Sequence, residues 1–168
     1  RILALFTSKY ALNNVYQELR KKPGSRDLPI FAQLRGSSRH AIIQGMHRTR
    51  NGILLGTNAF WEGIDLPGEL LEILILAKLP FGVPSEPIIK AYSNLLQSLD
   101  KNPFLEFNVP ESVIKFRQGF GRLIRTSQDV GAFFVMDERV VKKRYGTSFS
   151  DSIPVRMDLF SNLNEIII

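Results

Sequence analysis

Eight residues, Gln118-Gly119-Phe120-Gly121-Arg122-Leu123-Ile124-Arg125, carry the densest set of groups able to do chemistry. On a helix turning about 100° per residue, Gln118, Arg122 and Arg125 fall within about 60° of one another. Val113, Phe116, Phe120, Leu123 and Ile124 gather on the opposite side. The apolar face would hold such a helix down while an amide and two guanidiniums point outward together. A planar guanidinium grips phosphate through two parallel hydrogen bonds, so paired arginines suit a polyphosphate. Gly119 and Gly121 each cost a helix ~0.5–1 kcal/mol relative to alanine. A helix that something must approach closely has a use for that cost.

A second group follows the apolar run Ile53-Leu54-Leu55. Residues 56–65 read GTNAFWEGID. Thr57 can donate to a phosphate oxygen, Asp65 can accept from a sugar hydroxyl, and Gly63 lets the backbone come close to a ligand. The same residues equally suit an ordinary strand-to-loop transition with Phe60-Trp61 buried. Thr7-Ser8 closes the run Ile2–Phe6. This pair either contacts phosphate or caps the next helix, and capping is the better single reading.

Other signals point away from a self-contained site. No G-x-x-x-x-G-K-[ST] stretch occurs, so no loop of this chain cradles phosphates and no lysine of such a loop reaches them. Cysteine is absent, which removes disulfides, thiol catalysis and thiolate metal sites and fits a reducing, cytoplasmic setting. His40 and His47 are seven residues apart, not the three or four of a helical metal pair, and read as solvated. Asp137-Glu138 looks like a magnesium-binding acidic pair but reads better as a solvated pair ending the last strand. No metal is expected on this chain alone.

The positioning elements alternate. Strands are expected at residues 2–6, 30–34, 53–57, 72–77 and 130–136. Helices are expected at residues 13–22, 38–49 and 85–99, from Pro110 through the arginine motif, and at 140–145. Continuous apolar strands alternating with helices imply a mainly parallel sheet covered on both faces. Ligands then bind beyond the carboxyl ends of the strands, which points to Thr7-Ser8, residues 56–65 and Pro80-Phe81. Residues 100–109 are expected to form an irregular excursion. The length of 168 residues suits one domain, and no apolar run reaches the ~18 residues of a membrane span. The net charge of +6 is compatible with a polyanionic partner and equally with simple solubility. The start at Arg1 and the end on Ile166-Ile167-Ile168 suggest a fragment of a longer chain.

Taken together and in this order, Thr7-Ser8, residues 56–65 and residues 118–125 resemble motifs IV, V and VI of superfamily 2 helicases. The FWEGID form, Lys78-Leu79-Pro80-Phe81, Asp137-Glu138-Arg139 and Lys143-Arg144-Tyr145-Gly146 look most like the DinG branch of the XPD/DinG group. The resemblance implies an α/β fold: residues 1–168 as one RecA-like, three-layer α/β/α lobe, the second of a two-lobed motor. It implies that Arg122 and Arg125 reach the γ-phosphate of ATP across the cleft between lobes, with Gln118 lining that cleft. Gly63 and Asp65 match residues near the nucleotide, and Glu62 is grouped with them without a chemical job of its own. Thr57, Thr7 and Ser8 match residues facing a nucleic-acid backbone. The implied partners are the first RecA-like lobe of the same polypeptide and single-stranded DNA, with no membrane. ATP and Mg²⁺ would be shared with the first lobe, and any iron–sulfur cluster would lie outside this chain. Two other readings stay open: a lobe that only holds nucleic acid in a DinG-like protein without unwinding activity, with an exonuclease fused to it in some members of the branch, and a small nucleotide-binding domain.

Overall fold

The computed structural model describes residues 1–24, 27–57, 71–126, 128–162 and 165. Five strands form one sheet: β1 (Ile2–Phe6), β2 (Ile30–Ala32), β3 (Ile53–Thr57), β4 (Ile73–Leu76) and β5 (Ala132–Val135). Their order is β2-β3-β1-β4-β5, and every neighbouring pair is parallel. Parallel strands need crossover connections. These include α1 (Lys9–Lys21), α2 (Arg39–Arg48), α3 (Pro87–Ser98) and α4 (Val109–Leu123), with short helices α5 (Arg139–Lys142) and α6 (Thr147–Ser150) after β5.

Alternate residues of each strand face opposite sides, so the apolar runs feed two cores. Leu3, Leu5, Leu54, Leu74 and Leu76 meet Ile42 and Met46 of α2 and Phe116, Phe120 and Leu123 of α4. Ala4, Phe6, Ala32 and Leu55 meet Leu12 of α1 on the other face. This is the expected three-layer arrangement, and it explains why the strands read as unbroken hydrophobic stretches. Emptying either core is costly: truncating a buried phenylalanine such as Phe116 to alanine typically loses about 3–5 kcal/mol.

Three boundaries differ from the sequence expectation for identifiable reasons. Helix α1 begins at Lys9, four residues early, because Ser8 Oγ accepts the N–H of Ala11 at 3.0 Å and caps it. Residues 100–109 contain a π-helical turn, Phe104–Asn108, that runs straight into α4. Asn102 Oδ1 starts it by accepting from the N–H groups of Phe104 and Leu105 at 3.0 and 3.2 Å. Helix α4 ends at Leu123, because Ile124 turns to extended angles of φ −118° and ψ 102°. Arg125 therefore lies beyond the helix, and the three-residue stripe of the helical wheel holds only for Gln118 and Arg122.

Two edges of the sheet as a candidate site

Parallel strands put all their carboxyl ends along one edge. Phe6 is level with Thr57, and Ala32 with Leu55. Gln33 follows β2, Thr57 ends β3, and Thr7 follows β1, so these three stand side by side. Strands about 4.8 Å apart make this row roughly 10 Å long. Thr7 and Ser8 are exposed. Ser8 performs the capping expected of it, and its own O–H remains a donor.

Thr57 is buried, at 8% exposure, because Gln33 covers it. Its backbone N–H and its Oγ1 hydroxyl both donate to Gln33 Oε1, at 3.0 and 2.9 Å. Gln33 carried no signal in the sequence reading. It lies just past a three-residue strand, where a polar residue looks like ordinary loop, and its contact spans 24 positions.

The arginine motif sits at the other edge. The end of α4 leads through a turn into the amino end of β5. An atom at the Cβ position of Gly131 would lie 2.6 Å from Leu123 Cδ1 and 3.0 Å from the carbonyl oxygen of Glu72, the residue before β4. A side chain there would have to displace Leu123 and crowd the Glu72 carbonyl, so glycine suits the close passage between the α4 terminus and the amino end of β4. Strands of four or five residues separate the two edges by roughly 13–17 Å. Gln118 is exposed and Arg122 partly so. Arg122 also sits in the last turn of α4, where the helix dipole favours a cation. Arg125 is exposed in a turn that Asp129 closes, its Oδ2 accepting the N–H of Arg125 at 2.7 Å and of Thr126 at 2.8 Å. These bonds, that from Thr126 foremost, hold the Asp129 carboxyl below its usual range. The two glycines of the motif differ: Gly119 is buried, whereas a Cβ on exposed Gly121 would meet nothing within 4 Å.

Arg122 and Arg125 thus lie at one edge, with Gln118 about a turn and a half back along α4, and Thr7, Ser8 and Thr57 lie at the other edge. Gly63, Asp65 and Glu62 lie outside the described residues. Pro80-Phe81, expected near a ligand, is committed to packing. The Phe81 ring stacks on Phe104 at 5.4 Å and meets Tyr145 and Phe149 edge-on at 5.9 Å each. Asp137 is not solvated either. It is 7% exposed, accepts the N–H of Leu79 at 2.9 Å, and pairs with Arg139 through Oδ2 at 2.6 Å. Burial pushes the Asp137 carboxyl up, but the bonds from Arg139 and Leu79 outweigh it and hold the carboxyl below its usual value. Arg139 in turn lies 5.2 Å over the Phe81 ring. Glu138 is exposed and pairs with Lys142. His40 and His47 are exposed, as expected. No group of three histidine, aspartate or glutamate side chains among the described residues could hold a metal ion. No helix among them is long and apolar enough to cross a membrane.

Comparison with known proteins bears on this layout. A family model described as the helicase C-terminal domain matches residues 1–156. The chain is 39% identical over 155 residues to a Bacillus subtilis (strain 168) protein named 3'-5' exonuclease DinG, covering 92% of this chain and 17% of that protein. It is 38% identical over 155 residues to the ATP-dependent DNA helicase DinG of Photobacterium profundum, covering 90% of this chain and 22% of the relative. The ATP-dependent DNA helicase YoaA of Escherichia coli is 34% identical over 154 residues, with 92% and 24% covered. The chain therefore spans about a fifth of the length of these relatives. Among solved structures, an XPD helicase superposes with a TM-score of 0.63 at 18% identity, covering 94% of this chain and 28% of that one. The C-terminal domain of the DEAD-box protein Dbp5 gives 0.53 at 15% identity, with 90% and 67% covered. These two likenesses show the fold alone, that of a RecA-like lobe.

Proposed function

The chain belongs to the helicase C-terminal domain family, and from that premise we propose that it is the second motor lobe of an ATP-dependent DNA helicase of DinG type. ATP, with its Mg²⁺, is bound in the cleft between this lobe and a first RecA-like lobe of the same polypeptide. Arg122 and Arg125 reach the γ-phosphate from this side, Gln118 lines the cleft, and Gly63, Asp65 and Glu62 lie near the nucleotide. Charge developing on the transferred phosphoryl group is then met by guanidiniums held on a packed helix end. An arginine supplied in this way is worth about 10³–10⁵ in rate. That is roughly 4–7 kcal/mol of barrier, more than the ~1–2 kcal/mol that two helix glycines cost. The lobe alone has little hydrolytic activity, since the phosphate-cradling loop belongs to its partner lobe. Any iron–sulfur cluster belongs elsewhere in the polypeptide. The protein works in the cytoplasm, on the nucleoid if the source is bacterial.

The observation that carries this reading is the separation of the two clusters. Arg122 and Arg125 belong to the α4 end and the turn after it, at one edge of the sheet, while hydroxyls and a carboxamide line the other. One lobe can therefore hold a nucleotide at one surface while a strand lies on Thr7, Ser8 and Thr57 at another. Contacts to phosphates in that row need no base sequence. Cleft closure on ATP and reopening after hydrolysis would shift this row along the strand.

The test is ATP hydrolysis by the full polypeptide with and without single-stranded DNA. Marked stimulation by the strand is expected, and hydrolysis indifferent to DNA overturns the reading. A second reading has its own support in the 39% identity to a protein named as an exonuclease. In it, this lobe only holds nucleic acid for a nuclease elsewhere in the chain. Strand digestion by the full polypeptide without any ATP consumption would favour that reading.

A further inference from the structure

We propose that Gln33 is a direct phosphate-backbone contact for the single strand, with its carboxamide aimed by Thr57. The inference deepens the strand-binding reading above and rests on it. The N–H of Thr57 can only donate, so the group facing it at 3.0 Å must be the carboxamide oxygen and not the NH₂. The same oxygen lies 2.9 Å from Thr57 Oγ1. A carboxamide oxygen carries no proton, so the threonine hydroxyl must be the donor there too. Two donors on one oxygen fix the amide plane and exclude its flipped form.

Two consequences follow. The proton of the Thr57 hydroxyl is spent inside the protein, so Thr57 serves the row by holding Gln33, and the donor offered to a phosphate at this point is the Gln33 carboxamide. The two N–H donors of Gln33 Nε2 are held on the far side of the carboxamide, turned away from Thr57. Among the described residues no acceptor takes them. Gln33 itself is only partly buried, whereas Thr57 beneath it is buried. The backbone N–H of Gln33 also donates to Leu55 O at 2.9 Å, which ties its base to the sheet. A side chain held at both ends, with two N–H groups unspent, is pre-organised for an anionic oxygen. It stands in the row of strand ends that includes Thr7 and Ser8. The ligand class is the phosphodiester backbone of a single strand, read without regard to base.

Two variants of the full polypeptide separate contact from scaffolding. Gln33→Glu keeps an acceptor for both Thr57 donors and replaces the outward NH₂ with an anionic oxygen. Gln33→Leu removes both the acceptor and the donors. The probe is a fluorescent oligodeoxythymidylate, its Kd read by anisotropy at several salt concentrations. Gln33→Glu should bind about tenfold more weakly or worse, since a hydrogen bond to a charged group is lost and like charges meet. Gln33→Leu should also weaken binding, and thermal unfolding should show that Gln33→Glu remains folded. Wild-type affinity in Gln33→Glu alongside weakened Gln33→Leu would overturn the proposal, leaving Gln33 as a support for Thr57 only. Wild-type protein that fails to bind the oligonucleotide would instead overturn the strand-binding reading itself, and this inference with it.

Discussion

Asp129 holds the backbone of Arg125: its Oδ2 accepts the Arg125 N–H at 2.7 Å, four residues back along the chain. The second bond, from Thr126 N–H at 2.8 Å, closes the turn. The Asp129 carboxylate therefore sets where the last arginine of the motif leaves the fold. Asp129→Ala in the full polypeptide should lower strand-stimulated turnover by roughly 10–100-fold, the scale of a misplacement of about 1 Å. Asp129→Asn, which keeps an acceptor oxygen, should recover part of the loss. The carboxyl is held below its usual range, so the clasp is intact above the ordinary carboxylate pKa. It is lost only as pH falls through the lowered value. Turnover that ignores Asp129→Ala would mean the turn has no role in aiming Arg125.

Gly121 separates stability from function. Packing in the described residues does not require it, because a Cβ there would meet nothing within 4 Å. Gly121→Ala should stabilise the fold by ~0.5–1 kcal/mol, since glycine is the poorer helix former. If the proposed function holds, it should nevertheless slow ATP turnover, because that reading brings the nucleotide or the first lobe against this open space. Chemical denaturation and turnover on the same variant check both halves. A stabilised variant with undiminished turnover would show that nothing approaches this helix.

Asp137 ties the exit of β4 to the exit of β5 through Leu79 and Arg139. Asp137→Asn weakens the ion pair and the bond to the Leu79 N–H, and should cost about 1–3 kcal/mol by urea denaturation. Arg139 is partly exposed, so its charge can return to water, which keeps the loss below that of a fully buried pair. The carboxyl pKa is lowered in the fold. Its contribution is therefore present above the unfolded value of about 3.9 and fades as pH falls through the lowered folded value. Wild-type stability falls over that acid window, and the part due to Asp137 should vanish in Asp137→Asn.

The sheet, its parallel pairing and most of its helices were legible because their signal is local. Runs such as Ile53-Leu54-Leu55 name a doubly covered strand on their own. What escaped were contacts between distant residues and the last few dihedrals of an element. The spacing that places Arg125 on the wheel assumes that the helix continues, and the extended angles of Ile124 end it one residue earlier. The Asp137 carboxylate looks like a surface pair until Leu79, 58 positions away, donates to it. Gln33 is silent for the same reason. The arginine motif and the Thr57 row were found as types and spacings, but their placement on opposite edges needed the course of α4 into β5.

The central claim is that this lobe supplies arginines to ATP held by another. The most direct measurement is ATP turnover by the full polypeptide carrying Arg125→Ala, at saturating ATP and single-stranded DNA, beside thermal unfolding and binding of a fluorescent ATP analogue. Arg125 lies outside α4 in an exposed turn, so folding should be unaffected. Turnover should fall by about 10³-fold or more while the analogue still binds. Turnover near the wild-type rate in a folded, nucleotide-binding variant would contradict the account.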